Sequence, residues 1–243
     1  MTLLQSGLPF LQAYVAGFAV LGGLLGWWSA QVGCAYARQL QLGAEADARL
    51  LLRVLYRFGG SGASWCAGAC SAIMLALAFG LLSVRYGLTP TCSVLVLAAC
   101  ALMLLAHIDA RTCLLPDALT FPLLWLGLGA GWAGWGVVPL HDAVAGAMAG
   151  YGSLWLLLQG FRLARGVEGM GYGDLKLMAA LGAWLGWQAL PWVLLGACAA
   201  GIVFALIKGG GVRRSASYPF GPFLAAASVA VFMAAPGLKL YFY

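Results

Sequence analysis

Long apolar runs separated by short polar connections dominate the chain. A helix that crosses a bilayer needs about 20 mainly apolar residues, and charges, prolines and glycine clusters mark where such runs end. Only a short turn around Trp187 and Pro191 separates the sixth run from the seventh. The pattern predicts an all-α polytopic membrane bundle. Its eight predicted spans are 8–30, 66–84, 90–107, 117–136, 142–161, 174–189, 191–208 and 219–236.

Composition supports the bilayer as the solvent for most of this chain. Of its 243 residues, 63% are hydrophobic and only 8% are charged, whereas roughly a quarter of the residues in a soluble domain are charged. We therefore expect one integral membrane domain over residues 1–243. The first apolar run has no basic segment before it, so we expect a retained span and not a cleaved signal peptide.

The one sizeable polar stretch is residues 31–65, which we expect to form a short cytoplasmic loop. The segment from Glu45 to Phe58 can form an amphipathic helix with Leu51 and Leu55 on its apolar side. Two interpretations stand equally: a helix lying on the inner leaflet, or a solvated connection.

The distribution of basic residues predicts the orientation of the bundle. Lysine and arginine accumulate on the cytoplasmic side of membrane proteins. With eight spans, all 13 basic residues except Arg85 and Lys239 fall on one side. This asymmetry predicts an inner-membrane protein with both termini outside. It also explains the net charge of +6 without nucleic acid, since no basic, aromatic-interleaved face is available to bind one.

Ionisable residues beside the spans mark the candidate chemistry, because they are costly in a membrane. Asp109 ends the third apolar run and Asp174 begins the sixth. The predicted topology puts both near the cytoplasmic face, on different helices, so they can face each other. Two carboxyl groups in a low-dielectric site share a proton. One can then activate water while the other polarises a peptide carbonyl, which predicts acid–base hydrolysis.

A glycine-rich segment precedes one of these acids. Gly169, Gly171 and Gly173 give the backbone the freedom to place Asp174 at a helix N-terminus, close to its partner and to an extended substrate. The helix dipole favours the ionised form of Asp174 there, so we expect Asp109 to hold the proton. A phosphate loop or a plain turn is the alternative, but neither a preceding strand nor a Gly-Lys-Ser/Thr ending is present.

Other polar residues near the pair have more modest predicted roles. Asp117 follows Pro116 at the start of the fourth span, where a helix N-cap is expected. Lys176 either interacts with Asp174 or extends to the inner surface, and the second role is favoured. His107 either lines the site or, as we favour, packs partly buried.

No metal centre is expected. A zinc site needs four ligands, typically as two close pairs. Cys66 and Cys70 form a single C-x3-C pair, and the chain has only two histidines.

Four ordered motifs resemble the bacterial type IV prepilin peptidases. The stretch from Ile108 to Leu124 is similar to the first motif of that family, and the stretch from Glu168 to Gly186 is similar to its GxGD motif. Residues 142–151 and 219–224 are similar to two further segments. Together these motifs cover roughly residues 100–235.

The resemblance implies an aspartic endopeptidase that cleaves leader peptides from type IV prepilins, or from the pseudopilins of type II secretion, at the cytoplasmic membrane face. It places Asp109 and Asp174 at the positions of the catalytic aspartates and implies no cofactor for hydrolysis. The residues expected to shape the site are Gly171, Gly173, Lys176, Pro116 and Asp117.

Members of this family often also methylate the new N-terminus with S-adenosylmethionine. Typical members carry two Cys-x-x-Cys pairs in the first cytoplasmic loop, and this sequence has neither pair there. This difference argues against a zinc-bound module in the loop and weakens the case for methyl transfer.

Other classes of function give different expectations. A transporter or channel would use paired acids as a relay, but both acids lie near one face and no internal repeat is present. A non-catalytic assembly subunit would tolerate substitution of the aspartates. A preflagellin peptidase would share the GxGD motif but not the flanking motifs.

Overall fold

The computed structural model describes residues 2–45, 47–56, 63–166, 171–207 and 219–238. These residues form nine α-helices, a short 3₁₀ turn and no strand, which confirms the all-α fold class. The helices are α1 (Thr2–Gln41), α2 (Ala48–Tyr56), α3 (Trp65–Tyr86), α4 (Pro90–Thr112), α5 (Asp117–Trp132), α6 (Leu140–Arg165), α7 (Tyr172–Leu185), α8 (Leu190–Ile207) and α9 (Gly221–Leu238).

Each predicted apolar segment coincides with one helix, and local capping explains several ends. Ser64 accepts a hydrogen bond from the Ala67 N–H at the start of α3. Thr89 does the same for the Cys92 N–H at the start of α4, where Pro90 occupies the first helical position. Side-chain oxygens at the N-cap satisfy backbone donors that the helix itself leaves free.

Four helical segments in the described part of the chain are long and apolar enough to cross a membrane. They are Gln12–Gln41, Trp65–Tyr86, Pro90–Thr112 and Trp187–Ile207, the last including the 3₁₀ turn that separates α7 from α8. The chain is thus an integral membrane protein. The other helices are shorter or less apolar, as α7 with 14 residues shows, so the count of eight spans stays a prediction.

The predicted loop at 31–65 is wrong over its first part. Helix α1 continues to Gln41 because its second half has a partner to pack against: Val32 and Tyr36 are fully buried beside Leu104 and Ile108 of α4. Apolar burial stabilises the helix beyond the point where the chain becomes more polar.

The amphipathic helix predicted within this stretch is present as α2, and its apolar face lies on protein. Leu50, Leu51 and Val54 are buried in the cluster that α1 and α4 form. Leu55 packs at the margin of that cluster, and Phe58 lies outside the described residues. The segment is therefore not a plain solvated connection. Contact of the remaining face of α2 with the inner leaflet stays a prediction.

Helix α7 is the buried centre of the half of the bundle that carries the acids. All its side chains from Leu177 to Leu185 are buried, and α5 and α6 pack against it. The Trp184 indole N–H donates to the Leu123 carbonyl of α5 at 2.9 Å. This bond gives the buried indole the partner that it requires.

The contact between α6 and α7 is made backbone to backbone through glycines. A Cβ atom on Gly146 would collide with the Gly182 carbonyl, and a Cβ on Gly182 would collide with the Gly146 carbonyl. Gly150 sits in the same way against the backbone of Met178. The spacing Gly146-x3-Gly150 in the sequence favours such a close helix contact, which small residues permit in membranes, and these positions confirm it.

We predict that Gly182→Ala lowers the free energy of unfolding by about 1–3 kcal/mol, the range typical of overpacking. Gly152→Ala is the matched control, because Gly152 lies in α6 with open space around its Cβ position. Thermal unfolding in one detergent compares the two variants. Equal stability of both would contradict the packing described for Gly146 and Gly182.

Candidate active site

Asp109 and Asp174 come together from the ends of two helices. Asp109 lies three residues before the end of α4, and Asp174 lies in the first turn of α7. Both are buried, with 3% and 9% of their surface exposed, and their carboxyl groups are close enough to interact electrostatically. Two carboxyl groups placed this way cannot both ionise without a large electrostatic cost.

A hydrogen bond from α9 fixes the Asp109 carboxyl group. The backbone N–H of Gly221, the first residue of α9, donates to Asp109 Oδ2 at 2.8 Å. The Asp109 carbonyl accepts from the Cys113 N–H at 2.8 Å, where α4 ends with Cys113 in the left-handed conformation. Both the side chain and the backbone of Asp109 are therefore held in place.

Gly221 is the site residue that the sequence did not single out. A Cβ atom at this position would lie 2.7 Å from Asp109 Oδ2, so a larger residue would displace the carboxyl group. The available signal was the motif at 219–224, which marked the segment without assigning a role to this glycine. That role depends on a contact between residues 112 positions apart.

The Asp174 carboxyl group has a different environment. Its Oδ1 atom is buried and has no hydrogen-bond partner among the residues that the structure describes. An unpaired buried charge costs far more than an unpaired neutral group. Both acids lie at the positive end of a helix, α7 for Asp174 and α9 for Asp109, so the helix dipoles do not distinguish them. The direct hydrogen bond from the Gly221 N–H fits an ionised Asp109 and leaves the proton to Asp174. This hydrogen bonding favours the reverse of the protonation expected from the sequence.

The two glycines before Asp174 differ in what they do. A Cβ on Gly173 would lie 2.9 Å from the Cβ of Leu115, so this glycine lets α7 approach the segment between α4 and α5. Gly171 has an ordinary φ of −75°, and no described residue lies within 4 Å of a Cβ atom built at this position. The structural need predicted for Gly171 is therefore not found. Gly169 lies outside the described residues.

Lys176 and Asp117 join α7 to α5. The Lys176 Nζ atom lies 2.7 and 2.8 Å from the two carboxylate oxygens of Asp117 and 5.4 Å from the centre of the Phe121 ring. Neither role predicted for Lys176 describes this pairing. The N-cap prediction for Asp117 is also wrong, because Pro116 occupies the N-cap and Asp117 begins the helix.

His107 packs between helices, as favoured from the sequence. Its Nε2 atom lies 2.7 Å from Ser71 Oγ of α3, and the Ser71 hydroxyl also lies 2.7 Å from the Ala67 carbonyl. The pair ties α4 to α3 two residues before Asp109.

Comparison with known proteins connects this geometry to a family. Residues 95–206, which include both aspartates, match the model of the type IV leader peptidase family. Several similar proteins carry the name prepilin leader peptidase/N-methyltransferase. The chain is 53% identical over 133 residues to the one from Burkholderia pseudomallei, covering 54% of this chain and 42% of that protein.

Two further relatives with this name extend the comparison. The protein from Aeromonas salmonicida is 57% identical over 128 residues, which cover 52% of this chain and 44% of the relative. The protein from Escherichia coli K12 is 52% identical over 131 residues, which cover 54% and 58%. The chain thus spans about half the length of the curated relatives it matches. No solved structure matches it significantly.

We predict a coupling free energy of about 0.2–1 kcal/mol between Lys176 and Asp117, the range of partly exposed ion pairs. The two side chains are 31% and 50% exposed, so added salt should weaken the coupling. Unfolding of Lys176→Ala, Asp117→Ala and the double variant forms the cycle that measures it. Purely additive losses at low salt would contradict a stabilising pair.

Proposed function

We propose, from the match of residues 95–206 to the model of the type IV leader peptidase family, that this chain is an aspartic endopeptidase. Its substrates are type IV prepilins or pseudopilins, from which it removes the leader peptide. The single observation that carries the proposal is the buried pairing of Asp109 and Asp174 at two helix ends. The names of the similar proteins support the substrate class.

The unequal surroundings of the two acids support a division of labour. The Asp109 carboxylate takes a proton from a water molecule as the water oxygen attacks the scissile carbonyl carbon. Protonated Asp174 gives its proton to the carbonyl oxygen, and a tetrahedral diol forms. Asp109 then passes its proton to the amide nitrogen as the C–N bond breaks. A diol hydroxyl returns a proton to Asp174, which restores the starting state.

The basic residues support a cytoplasmic location for this chemistry. Arg111 lies two residues after Asp109, and Lys176 lies two residues after Asp174. Both cations belong to the side that the positive-inside rule assigns to the cytoplasm. The proposed enzyme thus lies in the inner membrane and cleaves at its cytoplasmic face.

Methyl transfer is a separate proposal, supported by the second half of the relatives' name. It requires S-adenosylmethionine, whose adenosine and amino-acid groups need polar partners. The groove bounded by described residues of α3, α4 and α9 is apolar except for Ser71 and His107 and does not fit that donor. The mass of the mature substrate's N-terminus decides the question, since an unmodified amine restricts the chain to hydrolysis.

We predict that Asp109→Asn and Asp174→Asn each abolish detectable cleavage of a prepilin in membrane vesicles. Each substitution keeps the side-chain volume but removes either the base or the proton donor. Asp142→Asn is the control, because Asp142 lies in the first turn of α6 and pairs with His141. Thermal unfolding verifies that all three variants fold. Cleavage at the wild-type rate by Asp109→Asn or by Asp174→Asn, together called the dyad variants, would exclude the proposed mechanism.

We also predict that Gly221→Ala lowers kcat roughly 10- to 100-fold, the equivalent of a hydrogen bond to a charged group. The added methyl group would displace the Asp109 carboxylate from the Gly221 N–H. Gly152→Ala, in α6 with no described residue within 4 Å of the added methyl group, should change kcat by less than about threefold. Comparable losses in the two variants would show that the position of Asp109 does not explain the effect.

A further inference from the structure

An apolar groove runs between α3, α4 and α9 and ends beside the acids. Its volume is ≈ 340 Å³. At one end it is lined by Ala110 and Pro222, the residues that directly follow Asp109 and Gly221. This end of the groove therefore lies one residue along α4 from Asp109 and one residue along α9 from Gly221.

The length of the groove matches a short helical segment. Along α4 it extends from Ala110 back to Ala99, about 16 Å at 1.5 Å per residue, or three turns. The groove thus has room for one face of a helix, with the rest of that helix facing lipid.

The walls of the groove suit a polypeptide helix. Alanines line it on all three helices, including Ala78, Ala106 and Ala226. Small side chains allow close helix packing in a membrane, where lipid already solvates larger apolar groups. The polar side chains Ser71 and His107 in the lining form a hydrogen bond with each other. The groove therefore suits an apolar binding partner.

We infer that this α3–α4–α9 groove binds the apolar helical segment that follows the scissile bond of the substrate. The inference rests on the proposed function. Within a bilayer an apolar polypeptide must be helical to satisfy its backbone. A helix seated in the groove starts beside Ala110 and Pro222, so the extended residues just before it reach Asp109 and Asp174. A lipid chain is the competing occupant.

Two native cysteines of α3 provide a direct test. Cys70 lines the groove, whereas Cys66, one turn earlier, is also exposed but lies outside the lining. The full chain, made inactive by Asp109→Asn, is mixed in membranes with a prepilin that the wild type cleaves. The prepilin carries a single cysteine in the first two turns after its scissile bond. Oxidation should cross-link the two proteins.

The inference predicts that the cross-link persists in the Cys66→Ser variant and is lost in the Cys70→Ser variant. A cross-link that depends on Cys66, or on Cys198 of α8, would overturn it. So would the absence of any cross-link while Cys70 reacts with a maleimide equally fast with and without prepilin. That last result would indicate that a lipid chain, and not the substrate, occupies the groove.

A steric test separates this inference from the proposed function. Ala226 and Ala230 are both exposed on α9, but only Ala226 lines the groove. Ala226→Leu should raise KM for the prepilin roughly tenfold and change kcat by less than about twofold, whereas Ala230→Leu should leave both near the wild-type values. Equal KM values for the two alanine variants, with the dyad variants inactive, would refute binding in the groove but not the proposed function. Cleavage by the dyad variants would refute the proposed function itself.

Discussion

Two carboxyl groups buried side by side in an apolar bundle can persist only if the negative charge is confined to one of them. The pair here is made unequal by a third helix. The N-terminus of α9 supplies one N–H, from Gly221, to Asp109, while Asp174 Oδ1 has no partner within the described chain. The site thus needs three helix ends at one level: the C-terminal end of α4 and the N-terminal ends of α7 and α9. The packing of the surrounding helices holds these ends together.

Close backbone contacts keep that arrangement rigid. α7 is locked between α6, through Gly146 and Gly182, and α5, through the Trp184 hydrogen bond. Closely packed interiors transmit even small changes in volume, so the position of Asp174 depends on contacts one to three turns away. The Lys176–Asp117 pair adds a polar link between α5 and α7 at the more exposed end of the same interface.

Much of the fold and the central pair of acids could be predicted from the sequence. The apolar runs predicted the helices because the length of such a run and its flanking breaks are local properties. Asp109 and Asp174 could be identified because charged residues are rare in this chain. The role of Gly221 could not be predicted, since it depends on where α9 begins relative to α4. The predictions of where α1 ends and of what Lys176 contacts were wrong for the same reason, because each depends on which distant part of the chain packs alongside.

Infrared spectroscopy of protein with isotopically labelled aspartate tests the central claim most directly, because a protonated carboxyl group has its own C=O stretching band. At neutral pH, the account predicts one such buried band. It should disappear in Asp174→Asn and persist in Asp109→Asn. A band that disappears in Asp109→Asn instead, or a wild-type protein with no protonated buried carboxyl group, would contradict the unequal pair.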